Sequence, residues 1–207
     1  MKKTKKIIIT FGVIVAFLAG MNNVEGNTKK LKHKILMVIA PVNFRDEEYF
    51  EPRKIFEKKG FTVITGSISL VECEGMLGAK VMPDIKITEK IKPDDYDAIV
   101  FVGGMGVTQY WDNEIIHRVI KKFYKHKKVI GAICLAPGIL AKAGILKNKK
   151  ATVFPAEVAL SIFKQNKVDY VNKEVVVTGR VVTANGPAAA KKFGNAIVKL
   201  LKSTSSN

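Results

Sequence analysis

Apolar residues in this chain gather in short unbroken runs, and amphipathic stretches lie between them. Lys34–Ala40, Ala98–Val102 and Val129–Ile133 are such runs, rich in Ile and Val. They predict strands buried on both faces, the pattern of a parallel sheet. Asp46 to Lys59 predicts a helix, with acids in its first turn, lysines in its last and Gly60 as its cap. Phe61–Thr65 follows as a strand, completing one βαβ unit with Pro41–Arg45 as a loop. Residues 66–95 are broken by Gly75, Gly78, Pro83 and Pro93, with Lys80–Met82 as a short candidate strand. Glu114 to Lys125 is an amphipathic helix.

The second half continues the alternation. Ala151–Phe154 is a short strand, Ala156–Gln165 a helix, and Val168–Val171, Val175–Val177 and Val181–Ala184 are strands between turns. Asn185-Gly186-Pro187 opens a final helix ending near Leu201, and Ser203–Asn207 is a disordered tail. No internal repeat is present. Alternating strands and helices predict a doubly wound α/β domain with helices on both faces of the sheet. Ligands of such domains sit at the C-terminal ends of the strands. Three loops reach that edge, at Pro41–Glu48, Gly103–Gly106 and Cys134.

The N-terminus breaks this pattern. Lys2, Lys3, Lys5 and Lys6 precede an uncharged apolar run from Ile7 to Gly20, and Asn22 and Asn23 follow. This layout predicts a secretory signal peptide over residues 1–26, cut after Gly26, and hence an exported protein. The run has 14 residues. As a helix it spans about 21 Å, short of a bilayer core of about 30 Å. A cleaved signal therefore fits better than a stable membrane anchor, and residues 27–202 form the domain.

Of 207 residues, 47% are hydrophobic and 26% charged, which suits one globular domain. Without the signal the chain carries 31 basic and 17 acidic residues, a net +14. That charge fits anionic polymers of the cell envelope. The lysines are scattered, though, and the densest run, Lys121–Lys128, reads as an exposed helix end. No nucleic-acid motif accompanies them, so nucleic acid is not an expected partner. The two cysteines, Cys73 and Cys134, are not expected to bridge, since a cysteine at a strand end is poorly placed to reach a distant hairpin.

Cys134 is the residue most suggestive of chemistry. The strand Val129–Ile133 passes directly into the apolar segment Pro137–Ala143, and Cys134 sits at the junction between Ala132 and Ala136. Small neighbours permit a sharp bend, the logic of a nucleophile elbow with cysteine in place of serine. A helix N-terminus there favours thiolate and predicts a thiol more acidic than a free one. The alternative is a small buried hydrophobe. Glu48, in the first turn of the first helix, lies beside the same edge. A carboxyl there can hold a proton and hydrogen-bond sulfur; the alternative is an acid answering the helix dipole, with Glu47 and Glu51 as rivals. Gly103-Gly104, with the N–H of Leu135, can form an oxyanion hole, or be only a tight turn. A cysteine nucleophile commonly uses a histidine base. His33, His117 and His126 are all placed away from that edge.

These residues together resemble the DJ/ThiJ/PfpI superfamily, flavodoxin-like relatives of class I glutamine amidotransferases. The resemblance spans about Lys34 to Leu201. It is carried by Ala132-Ile133-Cys134-x-x-Pro137, by Val102-Gly103-Gly104-x-Gly106, by Glu48 four residues before Pro52, and by Ala141–Pro155. It implies a flavodoxin-like, mostly parallel sheet. It also implies a reactive Cys134, a protonated Glu48 bonded to it, and a backbone oxyanion pocket at Gly103, Gly104 and Leu135. Homodimers or larger assemblies are implied, with no metal or cofactor. The implied activities are glyoxalase or deglycase chemistry on small reactive carbonyls or modified proteins, peptidase activity, chaperone action and oxidative-stress sensing. Peptidase-like members carry histidine directly after the cysteine, where this chain has Leu135. Deglycase-like members carry one before a proline twenty residues on, where it has Phe154. Peptidase activity is therefore not expected, and a non-catalytic stress sensor or chaperone using the same cysteine stands as the alternative to an enzyme.

Overall fold

In a computed structural model of the chain, residues 33–203 are described. The signal peptide expected over residues 1–26 and the tail beyond Ser203 lie outside them. The sheet strands are β1 (Lys34–Val38), β2 (Thr62–Ser67), β3 (Ile85–Lys86), β4 (Ala98–Phe101), β5 (Val129–Ile133), β6 (Val175–Thr178) and β7 (Val181–Ala184). Their spatial order is β6-β7-β5-β4-β1-β2-β3. Every pairing is parallel except the hairpin β6–β7. The three unbroken apolar runs of the sequence are the three central strands, and Ile35–Val38, Ala98–Phe101 and Val129–Ile130 are fully buried. β-Branched residues dominate them because such side chains fit a pleated surface covered on both sides.

The helices are α1 (Asp46–Lys58), α2 (Glu114–Lys125), α3 (Pro137–Lys142), α4 (Glu157–Gln165) and α5 (Ala190–Ser203). α1 packs on α5, α2 on α3 and α3 on α4, and β5 is covered by both α2 and α5. The chain is thus a mixed α/β domain whose large, mostly parallel sheet is flanked by helices, the flavodoxin-like arrangement. At Gly131 an added Cβ would lie 2.7 Å from Ile197 and 2.9 Å from Phe193, so α5 seats directly on the backbone of β5.

Several local expectations need correction. The segment expected as a loop from Pro41 contains a strand, Val42–Phe44, pairing with Cys73–Gly75 in a small second sheet that Lys80–Val81 completes. Asp46 holds this sheet to α1. Its buried carboxylate accepts the N–H groups of Leu77 (2.9 Å) and Ala79 (3.0 Å). The strand expected over Ala151–Phe154 is only Lys150–Ala151, paired with Asp169–Tyr170. From Thr152 the chain leaves that pairing and braces the main sheet instead. The Thr152 N–H donates to Thr183 Oγ1 at 3.0 Å, and that of Phe154 to the Cys134 carbonyl at 2.8 Å. The last helix begins with a 3-10 turn at Pro187–Ala189 and runs through Ser203, past the expected Leu201. Cys73 and Cys134 are both free and buried.

The turn after β4 is pressed against the Val42–Arg45 segment. Gly104 has φ +96, and an added Cβ there would stand 2.6 Å from the Arg45 amide. A Cβ at Gly106 would overlap the Val42 carbonyl oxygen, a backbone atom with no room to retreat. Gly106→Ala is therefore expected to destabilise the fold by about 1–3 kcal/mol. A lowered urea midpoint at unchanged m-value would show it, and an unchanged midpoint would contradict this packing.

Candidate active site

Cys134 follows β5 with φ +62, a left-handed conformation that non-glycine residues adopt rarely. Backbone hydrogen bonds fix it there. Its N–H donates to the Ala184 carbonyl at 2.9 Å, and its carbonyl accepts from Phe154. The N–H of Ala136 then closes onto the Ile133 carbonyl at 3.0 Å and starts the turn into α3. Ala132, Ala136, Pro137 and Gly138 are buried around the bend. Trp111 braces it from outside, its indole N–H donating to the Leu135 carbonyl at 3.1 Å. Gly138 lies under that ring, where a Cβ would come within 2.6 Å of the indole nitrogen.

Glu48 reaches the elbow from the first turn of α1 and is 0% exposed. Pro52, one turn on, has no N–H to give to the Glu48 carbonyl. The carboxyl is held by Gly103, whose N–H donates to Oε2 at 3.0 Å. A side chain at Gly103 is excluded: its Cβ would clash with that carboxyl and stand 2.5 Å from the Cys134 Cβ. The other oxygen, Oε1, is buried with no hydrogen-bond partner, and the carboxyl lies within hydrogen-bonding reach of the Cys134 thiol. The rivals are occupied elsewhere. Glu47 makes a bidentate pair with Arg45 (2.7 and 2.9 Å), and Glu51 is 3.8 Å from Lys191.

The three sequence-predicted loops thus converge. Their backbone donors do different work: the N–H of Gly103 is spent on Glu48, while those of Gly104 and Leu135 face the sulfur. The three histidines are engaged elsewhere, and none lines the cavity beside Cys134. His33 pairs with Asp97 at 3.3 Å, His126 with Asp94 at 3.1 Å, and His117 Nε2 lies 2.8 Å from the Trp111 carbonyl oxygen.

Burial governs the protons here. It pushes Glu48 up to about 8, against the opposing hydrogen bonds from Cys134 and Gly103 and the charge of Arg45. Burial, then the negative charge of Glu48, pushes Cys134 up to about 12, over the pull of the Gly104 and Leu135 N–H groups. The acidified thiol expected from the elbow is therefore corrected. α3 has only six residues, and its weak positive end does not offset the burial of a residue only 7% exposed. The two groups titrate together. The first proton to leave the pair does so around pH 8, chiefly from Glu48.

A cavity of about 180 Å³ opens beside the pair. Leu135, Phe154 and Pro187 give it an apolar wall, while Met76 and Met105 stand at its mouth, 40% and 58% exposed. Arg45 adds one charge at its edge. Arg45, Met76, Met105 and Pro187 are site residues that sequence reasoning missed. Met76 is delivered by the small second sheet, where its N–H donates to the Phe44 carbonyl at 2.8 Å. The broken pattern of residues 66–95 carries no trace of that. Phe154 is readable only as a departure from a family position.

A buried cysteine on a strand-to-helix elbow, set against a buried glutamate at the C-terminal edge of a parallel sheet, gives this flavodoxin-like protein a candidate site centred on the cysteine. The chain belongs to the DJ-1/PfpI family, whose model matches residues 33–200. It is 43% identical over 203 residues to uncharacterized protein MJ0967 of Methanocaldococcus jannaschii, covering 98% of both chains. It is 31% identical to the deglycase PH1704 of Pyrococcus horikoshii, covering 82% of this chain and 99% of that one. Among solved structures, a ThiJ/PfpI domain protein from Brachyspira murdochii superposes with a TM-score of 0.78 at 35% identity, over 82% of this chain and 96% of the other.

A carboxyl raised by burial binds its proton more tightly in the folded than in the unfolded chain. Its contribution to stability is full below its ordinary value of 4.5 and is lost as pH rises towards 8. The loss is on the order of 5 kcal/mol. Glu48→Gln should remove this decline from urea unfolding measured between pH 4.5 and 8. Identical pH profiles for the two proteins would mean that Glu48 is not held protonated.

Proposed function

We propose that the protein acts on small reactive carbonyls or their adducts, as a deglycase- or glyoxalase-like enzyme with Cys134 as nucleophile. The observation that carries this reading is the buried Glu48–Cys134 pair, in which the carboxyl is tuned to about 8. A base near the operating pH is best matched to proton transfer. Glu48 carboxylate takes the thiol proton as sulfur attacks an aldehyde carbon. The C=O electron pair moves to oxygen, which the N–H groups of Gly104 and Leu135 receive. The proton on Glu48 then passes to that oxygen, giving a neutral hemithioacetal with no atom gained or lost.

The size of the cavity favours small substrates. About 180 Å³ is below the ~300 Å³ at which drug-sized pockets begin. Its apolar wall excludes water around the sulfur, and Leu135 in place of a histidine argues against peptide hydrolysis. Relatives named as deglycases support the class. A relative named as a glutathione-independent glyoxalase, in Caenorhabditis elegans, supports it at 25% identity. The lysine-led apolar N-terminus supports an exported protein, and family membership supports a homodimer. One observation favours the alternative of a non-catalytic sensor: Phe154 stands in the cavity, at the position where the family resemblance implies a histidine in deglycase-like members.

Both readings meet in one experiment, the consumption of methylglyoxal. Cys134→Ser is expected to abolish turnover, and equal activity in that variant would end the enzymatic reading. Phe154→His places a second base at the cavity and is expected to raise kcat/KM at least about tenfold, below the ~10²–10⁴ that general bases supply. No gain would mean that Glu48 already meets the need or that no turnover exists to improve, and the Cys134→Ser result separates the two.

A further inference from the structure

The edge at which the strands begin, opposite Cys134, holds a hollow of about 430 Å³, larger than the one beside the cysteine. Two connections deliver cations to it, and a third pair of residues brings a histidine and an acid. Lys127 and Lys128 end the basic tail of α2, with Lys127 turned by a left-handed φ of +53. Arg180 follows Gly179 in the β6–β7 hairpin turn, and its carbonyl accepts the Ile130 N–H at 2.9 Å, fixing the turn to β5. His33 and Asp97 sit just before β1 and β4.

The acids at this edge are already engaged. Asp97 accepts the Lys34 N–H at 2.9 Å and pairs with His33 at 3.3 Å. Asp94 faces His126 at 3.1 Å and Lys128 at 3.8 Å. Among the described residues, Lys127 and Arg180 make no ion pair. Arg180 Nε is shielded from solvent and has no hydrogen-bond partner. A buried donor without an acceptor is costly, and native structures hold few. Lys127, Lys128 and Arg180 also line an adjoining hollow of about 390 Å³, beside Tyr124 and Lys125.

We propose that this edge is a binding site for a soluble phosphate-type oxyanion carrying at least two negative charges. Lys127 and Arg180 are the lining cations with no carboxylate partner among the described residues, and a dianion matches their two charges. A guanidinium presents its donors as a planar fork that matches phosphate, and an oxyanion supplies the acceptor that Arg180 Nε lacks. Lys127, which lines the same hollow, adds a second charge. The site is independent of the chemistry at Cys134, since it lies at the other end of the same strands.

Calorimetric titration of the full chain with pyrophosphate tests this. Saturable one-site binding is expected, weakened at least about tenfold by Arg180→Gln and by Lys127→Gln. Arg180→Lys, which keeps the charge and loses the fork, is expected to weaken binding as well while leaving the thermal midpoint in place. Lys86→Gln, an exposed lysine at the other end of β3, removes the same charge and should change affinity less than about twofold. Absence of saturable binding would overturn the proposal. So would a loss in Lys86→Gln equal to that in Arg180→Gln, because affinity would then follow net charge alone.

Discussion

A carboxyl group with no access to water, set against a thiol, is the constraint on which this site depends. Glu48 is fully buried and takes one hydrogen bond from the Gly103 N–H. A carboxylate so placed is costly unless it is neutralised, so the fold favours its protonated form. Everything near it serves that contact. Gly103 lacks a side chain because Glu48 and Cys134 occupy its space. Gly104 takes a left-handed turn that brings the Val42–Arg45 segment onto the same loop. Cys134 itself holds a rare backbone angle, fixed by Ala184 and Phe154 on either side.

The consequence is a cysteine whose protonation is set by burial and by its partner more than by its helix. A long helix behind an open thiol lowers its pKa. Here the helix is six residues long, the thiol is nearly closed off, and an acid that ionises first faces it. Burial moves Glu48 towards neutral pH, and no histidine lines the cavity beside the pair.

Much of this is legible in the residues alone. The unbroken runs at Lys34, Ala98 and Val129 are the buried central strands, since only strands covered on both faces tolerate such sequences. The strand-to-helix junction locates Cys134, and topology alone brings Glu48 and Gly103 to the same edge. Two kinds of feature escape. Small strands such as Val42–Phe44 and Cys73–Gly75 are too short for periodicity to register, and they place Met76 at the cavity. Burial escapes too: helix-end reasoning predicts an acidic thiol, and only the surrounding atoms reveal the opposing desolvation. At the other edge, the basic run ending in Lys128 reads as solvated surface. The hairpin turn that carries Arg180 to it is a long-range contact that no local pattern encodes.

Cys134 and Glu48 should release one shared proton near pH 8. The decisive measurement is the rate of Cys134 alkylation as a function of pH, followed by mass spectrometry of its peptide so that Cys73 is counted separately. The rate is expected to climb about tenfold per pH unit through neutrality and to level near pH 8. In Glu48→Gln that plateau should vanish, with the rate still rising above about pH 9. A plateau below about pH 6 that survives in Glu48→Gln would contradict a shared proton, since the thiolate would then owe its stability to the helix end and not to the buried acid.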